Sequence, residues 1–308
     1  MVKLSVVITA YNEEEKIREC LESVKSLADE IIIVDNSSTD NTAAIAKKYT
    51  KKIFTQKNDP LNIDIKKNFG FGKATGEWIL SLDADERVTP ELAKEIRSVI
   101  DRRQSSLEES IVGYWIPRKN IIFGKWMRHT GWYPDYQLRL FRKGKGAYKQ
   151  THVHEPLALD GHTAYLQEPM VHEHYKTLHE FVNKSINTYV PNEAEAKLAK
   201  GYQFSYLDVV RFPFNEFLGR FFAREGYKDG LHGLVLSLLM ASYHLMIFVY
   251  IWEKQKFVEE THGEFLDTLR IEARRSFREL MYWFLTEKVS ATKNFSRKYI
   301  LKIQKKFL

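Results

Sequence analysis

Three acidic residues stand within four positions of the segment SLDADERVTP, residues 81–90: Asp83, Asp85 and Glu86. They end or follow the apolar run WILSL, which has the composition of a buried strand. Neighbouring carboxylates repel one another and resist losing their water, so bulk solvent or a bound cation should compensate them. Carboxylate oxygens suit Mg²⁺ or Mn²⁺ and leave coordination positions open for phosphate oxygens. The Asp-Ala-Asp (DXD) spacing therefore indicates a cation site for a diphosphate, although so short a pattern also arises by chance.

Strand-like and helix-like patterns alternate over about the first hundred residues and supply the scaffold for this segment. Buried strands are predicted at LSVVIT, IIIVD, KIFT and WILSL. The segments between them have helical periodicity; Asn12 and Glu15 predict a capping box for the first helix, and Thr89 and Pro90 predict the start of another. The alternation predicts an α/β fold with a doubly wound, mainly parallel sheet.

Polar turns follow three of the predicted strands. They are Thr9 to Asn12, Asp35 to Ser38, and Asp83 to Glu86. Ligands of such sheets bind beyond the carboxyl ends of the strands, so the three turns are expected to meet at one binding edge. The candidate glycines Gly70, Gly72 and Gly76 follow a helical stretch and are misspaced for G-x-G-x-x-G, and no Walker A lysine loop is present. This argues against a dinucleotide-binding dehydrogenase and against a P-loop protein.

The pattern changes twice further along the chain. Aromatic-rich, strand-like pieces follow the alternating part, and the remainder has a helical pattern. We therefore expect one domain over residues 1–176, with an alternating first half (1–110) and a strand-rich second half (111–176). A helical extension, with possible membrane association, is expected over residues 177–308.

Two late segments suggest contact with a membrane. Residues 231–252 contain no Lys, Arg, Asp or Glu and are long enough to span a bilayer. Internal polar residues and basic flanks on both sides instead favour a helix that lies in the interface or packs against the domain. Residues 287–308 interleave basic with apolar residues, which favours an amphipathic helix on an anionic membrane surface; a solvated terminal helix is the alternative.

Composition and the first residues bear on location. The formal charge of +7 comes from 47 Lys and Arg against 40 Asp and Glu, and the excess is concentrated late in the chain. Cys20 is the single cysteine, so no intrachain disulfide can form and a reducing compartment is favoured. The apolar run at the start is too short for a signal peptide. We expect a cytoplasmic protein, peripheral on the inner membrane, without a nucleic-acid partner.

Several longer segments resemble a known family. SVVITAYNEEEKIRECLESV, DEIIIVDNSSTDNT and KKNFGFGKATGEWILSLDADE resemble the successive nucleotide-sugar motifs of glycosyltransferase family 2, the inverting enzymes of GT-A fold. GWYPDYQLRLFR, HVHEP, HEHYKTLHEFVNKSINTY and REGYKDGLHGL are similar to a narrower group, the bacterial lipopolysaccharide-core β-1,4-glucosyltransferases. The family resemblance covers about the first 100 residues, and the subgroup resemblance reaches about residue 252. It implies that residues 1–176 form a GT-A catalytic domain with a nucleotide-sugar half (1–110) and an acceptor half (111–176).

The resemblance implies a site for a UDP-sugar with Mg²⁺ or Mn²⁺. The base would lie against the first two turns, Asp83 would face the ribose and sugar, and Asp85 would bind the metal, with Asp83 as a further ligand. Lys67 stands where the family often has Arg, so a bidentate donor is missing there. The expected donor site comprises Thr9, Ala10, Tyr11, Asn12, Glu13, Asp35, Ser37, Lys67, Asp83, Ala84 and Asp85.

An inverting transfer needs a general base that deprotonates the acceptor hydroxyl. The resemblance places the family's catalytic aspartate at Asp135; the alternative is a turn aspartate after Pro134. Aromatic side chains in the preceding loop could stack on sugars or anchor the loop. The expected acceptor-binding residues are Trp132, Tyr133, Arg139 and Glu155; for Arg139, contact with the diphosphate or a place on a solvated strand face are the alternatives.

Four histidines in two short segments, His152, His154, His172 and His174, open a second metal hypothesis. Their alternate spacing could form a zinc site, or strand alternation alone could place polar groups on one face. The subgroup resemblance favours a third reading, in which His154 approaches the metal of the donor.

These features together predict transfer of a hexose, with glucose expected, from a UDP-sugar to a saccharide or lipid-linked acceptor in cell-envelope glycan synthesis. One alternative is a polyprenyl-phosphate glycosyltransferase, whose phosphate acceptor needs little deprotonation. The other is a non-catalytic protein that binds nucleotide-sugars.

Overall fold

The computed structural model describes residues 3–59, 63–102, 111–149, 157–259 and 265–306. The chain divides into two units. The first comprises residues 1–128 and 132–181, and the second comprises residues 129–131 and 182–308.

The first unit is built around a large sheet. Its strands within the described residues are β1 (Leu4–Ala10), β2 (Glu30–Asp35), β3 (Ile53–Thr55), β4 (Trp78–Asp83), β5 (Glu86–Arg87), β6 (Ile111–Ile122), β7 (Lys125–Trp126), β8 (Asp135–Arg142), β11 (His162–Tyr165) and β12 (Met170–Tyr175). The short strands β9 (Gly146–Ala147) and β10 (Ala158–Leu159) pair with each other. The helices of this part are α1 (Ile17–Val24), α2 (Thr42–Ala46), α3 (Ile63–Lys73), α4 (Pro90–Asp101) and α5 (Leu178–Lys184).

The strand order is β3-β2-β1-β4-β8-β6-β12-β5, with β7 and β11 also paired to β6. Strands β3, β2, β1 and β4 are parallel to one another, whereas β8 is antiparallel to both β4 and β6. Strand β12 then runs parallel to β6. The predicted α/β fold with a mainly parallel sheet is therefore confirmed.

Strand β1 shows why this sheet forms. All seven of its residues are buried, as expected of a central parallel strand covered on both faces. One face packs Leu4, Val6 and Ile8 with helices α1 and α4, and the other packs Val7 near Phe71 of helix α3. The register pairs residues 5–9 of β1 with both β2 and β4, so the carboxyl ends of the three strands coincide.

Two predicted helix starts have different outcomes. Helix α4 begins as expected, because the Thr89 hydroxyl accepts a hydrogen bond from the Leu92 amide (3.1 Å) ahead of Pro90. The predicted capping box of α1 is wrong. The Asn12 side chain accepts from the Thr39 amide (2.8 Å) instead, and α1 begins at Ile17 without a side-chain cap.

The second unit is helical. Within the described residues its helices are α6 (Val190–Ala199), α7 (Asp208–Leu218), α8 (Leu231–Lys254), α9 (Phe265–Ala291) and α10 (Phe295–Lys306), joined in part by π-helical turns at Ser185–Tyr189 and Gly219–Ala223. The predicted helical extension is thus confirmed as secondary structure. In the described ranges, α8 alone has the length and hydropathy of a membrane-crossing helix, with 33% of its most apolar window buried.

Candidate active site

The three predicted turns lie together at the carboxyl ends of β1, β2 and β4. The sheet register places Ala10 opposite Asp35 and Thr9 opposite Asp83. Asp35 is buried, and its carboxylate accepts a hydrogen bond from the Ser38 amide (3.2 Å). The Thr9 hydroxyl is buried with no hydrogen-bond partner among the described residues. An orphaned polar atom at a strand end is a feature of an edge built to receive a ligand.

The turns after β1 and β2 are fastened to each other by side chains. The Asn12 amide donates to the Ser38 hydroxyl (3.0 Å), and the Glu13 amide donates to the Thr42 hydroxyl (2.8 Å). Asn12 and Ser37 both have positive φ, at 52° and 61°, so both turns bend sharply. Tyr11 is 43% exposed between them. An exposed ring beside two rigid turns can stack on a planar base.

Asp83 lies between two buried cations. Its carboxylate oxygens contact Lys67 Nζ at 2.7 Å and an Arg139 guanidinium nitrogen at 2.5 Å. Burial would raise the pKa of the Asp83 carboxyl, but the Arg139 and Lys67 charges outweigh burial and hold it well below its ordinary value. The same ion pair raises the pKa of Lys67 despite its burial. All three groups are therefore charged at neutral pH, and a third of the Asp83 side chain stays exposed.

Glu86 has a different role from the two aspartates. It is fully buried, accepts a hydrogen bond from the Asp83 amide (2.9 Å), and pairs with Arg139 at 2.8 Å and with Arg118 at 3.5 Å. The crowding of acidic residues in the sequence thus has an internal explanation. Protein cations compensate Asp83 and Glu86, and Glu86 fixes the turn that carries Asp85.

Asp85 is buried at the start of a row of polar side chains that crosses the sheet. Its Oδ2 lies 3.5 Å from Nε2 of His172 on β12. The other ring nitrogen of His172, Nδ1, lies 2.6 Å from Oδ1 of Asn120 on β6. The Asn120 amide nitrogen donates to Asp135 Oδ2 at 3.1 Å at the start of β8. The row Asp85, His172, Asn120 and Asp135 therefore joins the turn between β4 and β5 to strands β12, β6 and β8.

The donor set of Asp85 and His172 fits a divalent cation. The carbonyl oxygen of the Asn120 side chain can only accept, so the proton of a neutral His172 ring lies on Nδ1 and a lone pair on Nε2 faces the Asp85 carboxylate. Nδ1 of His174 lies 3.4 Å from the same Nε2. No group of three or more acidic, His or Cys side chains with the geometry of a metal site is present in the part of the chain that the structure describes. A cation here would complete its shell with phosphate oxygens and water, as Mg²⁺ commonly does.

Asp135 is held by donors on both carboxylate oxygens. Arg118 Nε donates to Oδ2 at 2.8 Å, and Gln137 donates to Oδ1 at 2.8 Å, in addition to Asn120. Burial would raise the pKa of Asp135, but the Arg118 charge and these hydrogen bonds outweigh burial and hold it below its ordinary value. The carboxylate is therefore ionised at neutral pH, fixed in orientation, and still about a quarter exposed.

Aromatic side chains stand beside Asp135. The Trp132 ring lies 5.2 Å from the His174 ring, and Tyr133 lies edge-on to Trp126 with ring centroids 5.2 Å apart. The Trp132 carbonyl accepts a hydrogen bond from Asn120 (2.7 Å), which ties this loop to β6. Both predicted aromatic residues therefore lie on the Asp135 side of the site.

Some predicted residues have a different setting from the one expected. Arg139, predicted to bind the acceptor, is buried between Asp83 and Glu86 on the donor side. His152, His154 and Glu155 lie outside the described residues, so their roles stay predictions. The sequence predicts at most a zinc site for His172 and His174, whereas the structure has His172 beside Asp85 and His174 beside His172.

Sequence reasoning missed Arg118 and Asn120. Their signal is a pair of polar residues two apart near the end of a strand-like run, which places both on one face. The same period-two pattern in VHEHY places His172 and His174 on one face of β12.

The fold and this acidic edge are those of a glycosyltransferase. Residues 5–168 match the family described as Glycosyl transferase family 2, and the chain belongs to this family. The predicted family and its GT-A class of fold are thereby confirmed, as is the prediction of a glycosyltransferase.

Curated relatives agree with this assignment. An uncharacterized glycosyltransferase of Rickettsia typhi is 28% identical over 255 residues, which cover 78% of this chain and 84% of the relative. The lipopolysaccharide core biosynthesis glycosyltransferase LpsC of Rhizobium meliloti is 27% identical over 256 residues, covering 82% of this chain and 92% of LpsC.

Solved structures show more distant likeness. S. aureus TarS is 17% identical, with a TM-score of 0.40 over 80% of this chain and 55% of TarS. The Mycobacterium tuberculosis glucosyl-3-phosphoglycerate synthase, solved with Mn²⁺ and UDP-glucose, is 18% identical, with a TM-score of 0.31 over 39% of this chain and 44% of the synthase. This chain spans less than two thirds of either of those proteins.

Proposed function

We propose that the protein is an inverting, metal-dependent glycosyltransferase that moves a hexose, with glucose expected, from a UDP-sugar to a saccharide or lipid-linked acceptor. The observation that carries the proposal is the polar row from Asp85 to Asp135, which connects a cation site at the nucleotide edge to a fixed, ionised carboxylate. The name of LpsC supports a role in lipopolysaccharide-type glycan synthesis.

On the donor side, the three turns would bind the nucleotide. Tyr11 and Asp35 would contact the base, and the exposed part of Asp83 would face the ribose and sugar. Asp85 and His172 would hold Mg²⁺ or Mn²⁺, which when bound offsets the negative charge that develops on the departing UDP. Lys67 and Arg139 keep Asp83 ionised and make the nucleotide edge less negative.

On the acceptor side, Asp135 would act as the general base. The acceptor oxygen forms a bond to the anomeric carbon while the bond from that carbon to the UDP oxygen breaks, and the hydroxyl proton passes to Asp135. A carboxylate of low pKa is a weak base towards a resting hydroxyl. It can accept the proton once the oxygen has begun to bond to carbon, because the hydroxyl is then far more acidic. Trp132 and Tyr133 would offer their faces to the acceptor sugar.

The two alternatives make different predictions. A polyprenyl-phosphate acceptor is already anionic and would leave the rate nearly independent of Asp135. A non-catalytic binding protein would bind the nucleotide and release none. Measuring UDP release with saccharide, glycolipid and polyprenyl-phosphate acceptors separates the three cases; the proposal expects release that depends on a saccharide or glycolipid acceptor, and release with none of the acceptors would contradict it.

We further propose that the protein is peripheral on the cytoplasmic face of the inner membrane and binds anionic lipid. Helix α10 carries five Lys and Arg residues and no acidic residue, and none of its residues with a described side chain is buried. Phe295, Tyr299 and Ile300 are 83%, 61% and 56% exposed. A basic helix with an uncovered apolar face has the composition of one that lies in the headgroup region.

Helix α8 supports the same proposal. One face, which includes Leu236, Ile247 and Phe248, is buried. The opposite face is exposed at positions three and four apart: Leu231, Val235, Leu238, Ser242, Leu245 and Val249. This stripe runs for about 27 Å without a charged residue. An exposed apolar surface of this extent marks a contact with lipid or protein. Basic residues near both ends of the helix favour an anionic lipid surface, with α8 lying on the bilayer.

A further inference from the structure

Asn120 is the most deeply placed polar side chain of the row that crosses the sheet. It is fully buried in β6, opposite His172 on β12, and lies two residues beyond Arg118, which pairs with Asp135 in the β6–β8 register. Every polar atom of its side chain has a partner. Its amide nitrogen donates to the Trp132 carbonyl at 2.7 Å and to Asp135 at 3.1 Å, and its oxygen lies 2.6 Å from His172.

These partners fix which way the Asn120 amide points. The Trp132 carbonyl and the Asp135 carboxylate can only accept, so the NH₂ end must face them and the oxygen must face His172. The His172 ring is thereby fixed as well, with Nδ1 as the donor and Nε2 directed at Asp85, 3.5 Å away. One amide group therefore sets the orientation of two functional side chains on different strands.

We propose that Asn120 is a positioning residue that holds the Asp135 carboxylate for the acceptor and the His172 imidazole for the metal, and so joins the two halves of the site. The inference rests on the proposed function of Asp135 and of the Asp85–His172 pair. A partner that orients a metal-binding histidine commonly changes metal affinity by about 10- to 100-fold when it is removed.

Two substitutions of Asn120 separate its contact with Asp135 from its contact with His172. Asn120→Ala removes both, so we expect kcat to fall by about 10- to 100-fold and the Kd of Mn²⁺, measured by calorimetry with UDP present, to rise by about the same factor. Asn120→Asp keeps an acceptor for His172 but replaces the donor to Asp135 with a second carboxylate. We therefore expect kcat to fall while the Kd of Mn²⁺ stays within about threefold.

A purely structural role would not give this split, because loss of folded protein lowers the apparent kcat and the number of Mn²⁺ sites together. Melting temperatures of the metal-free variants report folding separately. Thr50→Ala is the matched control, since it also removes two hydrogen bonds from the sheet, to Ile31 and Lys52 at the opposite edge, and should leave kcat and Mn²⁺ binding unchanged. Equal weakening of Mn²⁺ binding by Asn120→Ala and Asn120→Asp would overturn the proposal.

A double-mutant cycle covers the case in which Asn120→Asp does not fold. If Asn120 acts through Asp135, then Asn120→Ala should lower kcat far less in an Asp135→Asn background than in the wild type. Additive effects on kcat, or unchanged kcat and Mn²⁺ affinity in folded Asn120→Ala, would contradict the inference. Absence of UDP release from the wild-type protein would instead refute the proposed function, and the calorimetric arm would still test the contact with His172.

Discussion

Asp83, Asp85 and Glu86 look equivalent in the sequence, and the structure gives each a different environment. Asp83 is paired with Lys67 and Arg139, Glu86 is buried as part of the scaffold, and Asp85 faces His172. The sequence predicts that Asp83 and Asp85 lie at or just after the end of a buried strand, and the structure has them there, because a polar turn after a buried strand is a local pattern. The sequence could not show which of the three carboxylates is paired with a protein cation, because those cations come from residues up to 56 positions away.

The best single-residue test of the mechanism is Asp135→Asn. The substitution keeps the shape of the side chain but removes the proton acceptor, so kcat with a saccharide acceptor should fall by about 100- to 10,000-fold. The Kd of the UDP-sugar should stay within about twofold, because Asp135 lies on the acceptor side. Steady-state kinetics and calorimetry measure the two quantities.

A matched control for Asp135→Asn is Asp160→Asn, since Asp160 is 94% exposed and pairs only loosely with Lys145 (3.6 Å). It should behave as wild type. A rate for Asp135→Asn close to that of the control would favour the polyprenyl-phosphate alternative, whose acceptor needs little deprotonation.

At the scale of elements, the alternating strands and helices of the first hundred residues were predictable, and the cross-sheet row was not. Asp135, Asn120 and His172 meet because of the registers of β8, β6 and β12, and a shift of one residue would turn each side chain to the other face. Asp85 joins them from the turn before β5, which pairs with β12. The periodicity of one strand shows on which face of the sheet a side chain lies, but it does not determine how that strand is aligned with its neighbours. The predicted capping box at Asn12 failed for a related reason, since the side chain binds the turn after β2 instead of its own helix.

Glu30 connects β2 to β1 and to the segments before β3 and β4, at the opposite end of the sheet. Its ionisation is expected to make the stability of the fold decrease in acid. Glu30 begins β2 and accepts hydrogen bonds from Ser5 of β1, from Thr75 before β4, and from Lys52. Burial would raise its pKa, but these hydrogen bonds outweigh burial and lower it from 4.5 to about 2. A lowered folded-state pKa stabilises the fold above the unfolded value, and this stabilisation is lost as the pH falls from about 4.5 towards 2.

Glu30→Gln should therefore lower the melting temperature at pH 7, and the difference from wild type should shrink at pH 3. Thermal unfolding followed by circular dichroism at both pH values measures this. Glu77→Gln, at an exposed position just before β4, is the control and should have little effect at either pH. A difference that is as large at pH 3 as at pH 7 would show that Glu30 does not contribute through its charge.

At the scale of the whole molecule, the chain combines a sheet unit that contains all the described candidate site residues with a helical unit that has uncovered apolar surface. Hydropathy identified α8 and charge patterning identified α10, because both signals lie within one helix. Which side of α8 is covered depends on packing against α6 and α7, so the exposed stripe emerged only from the structure.

Deleting residues 292–308 removes α10 and tests the membrane proposal. The five basic residues of α10 contribute about 1 kcal/mol each near an anionic surface, so binding to vesicles rich in anionic lipid at low salt should weaken at least tenfold. Co-sedimentation measures this, and neutral vesicles are the control. Leu238→Glu in the α8 stripe should also weaken binding. Vesicle binding that neither change alters would contradict the proposed lipid contact.

The most direct test of the metal assignment is calorimetric titration of UDP-glucose into the wild type and Asp85→Ala, each with and without Mn²⁺. We expect Mn²⁺ to strengthen binding to the wild type and to have no effect on Asp85→Ala, because Asp85 would hold the ion that offsets the charge of the diphosphate. Binding to Asp85→Ala that depends on Mn²⁺ as it does in the wild type would contradict the central claim that this acidic turn holds the metal.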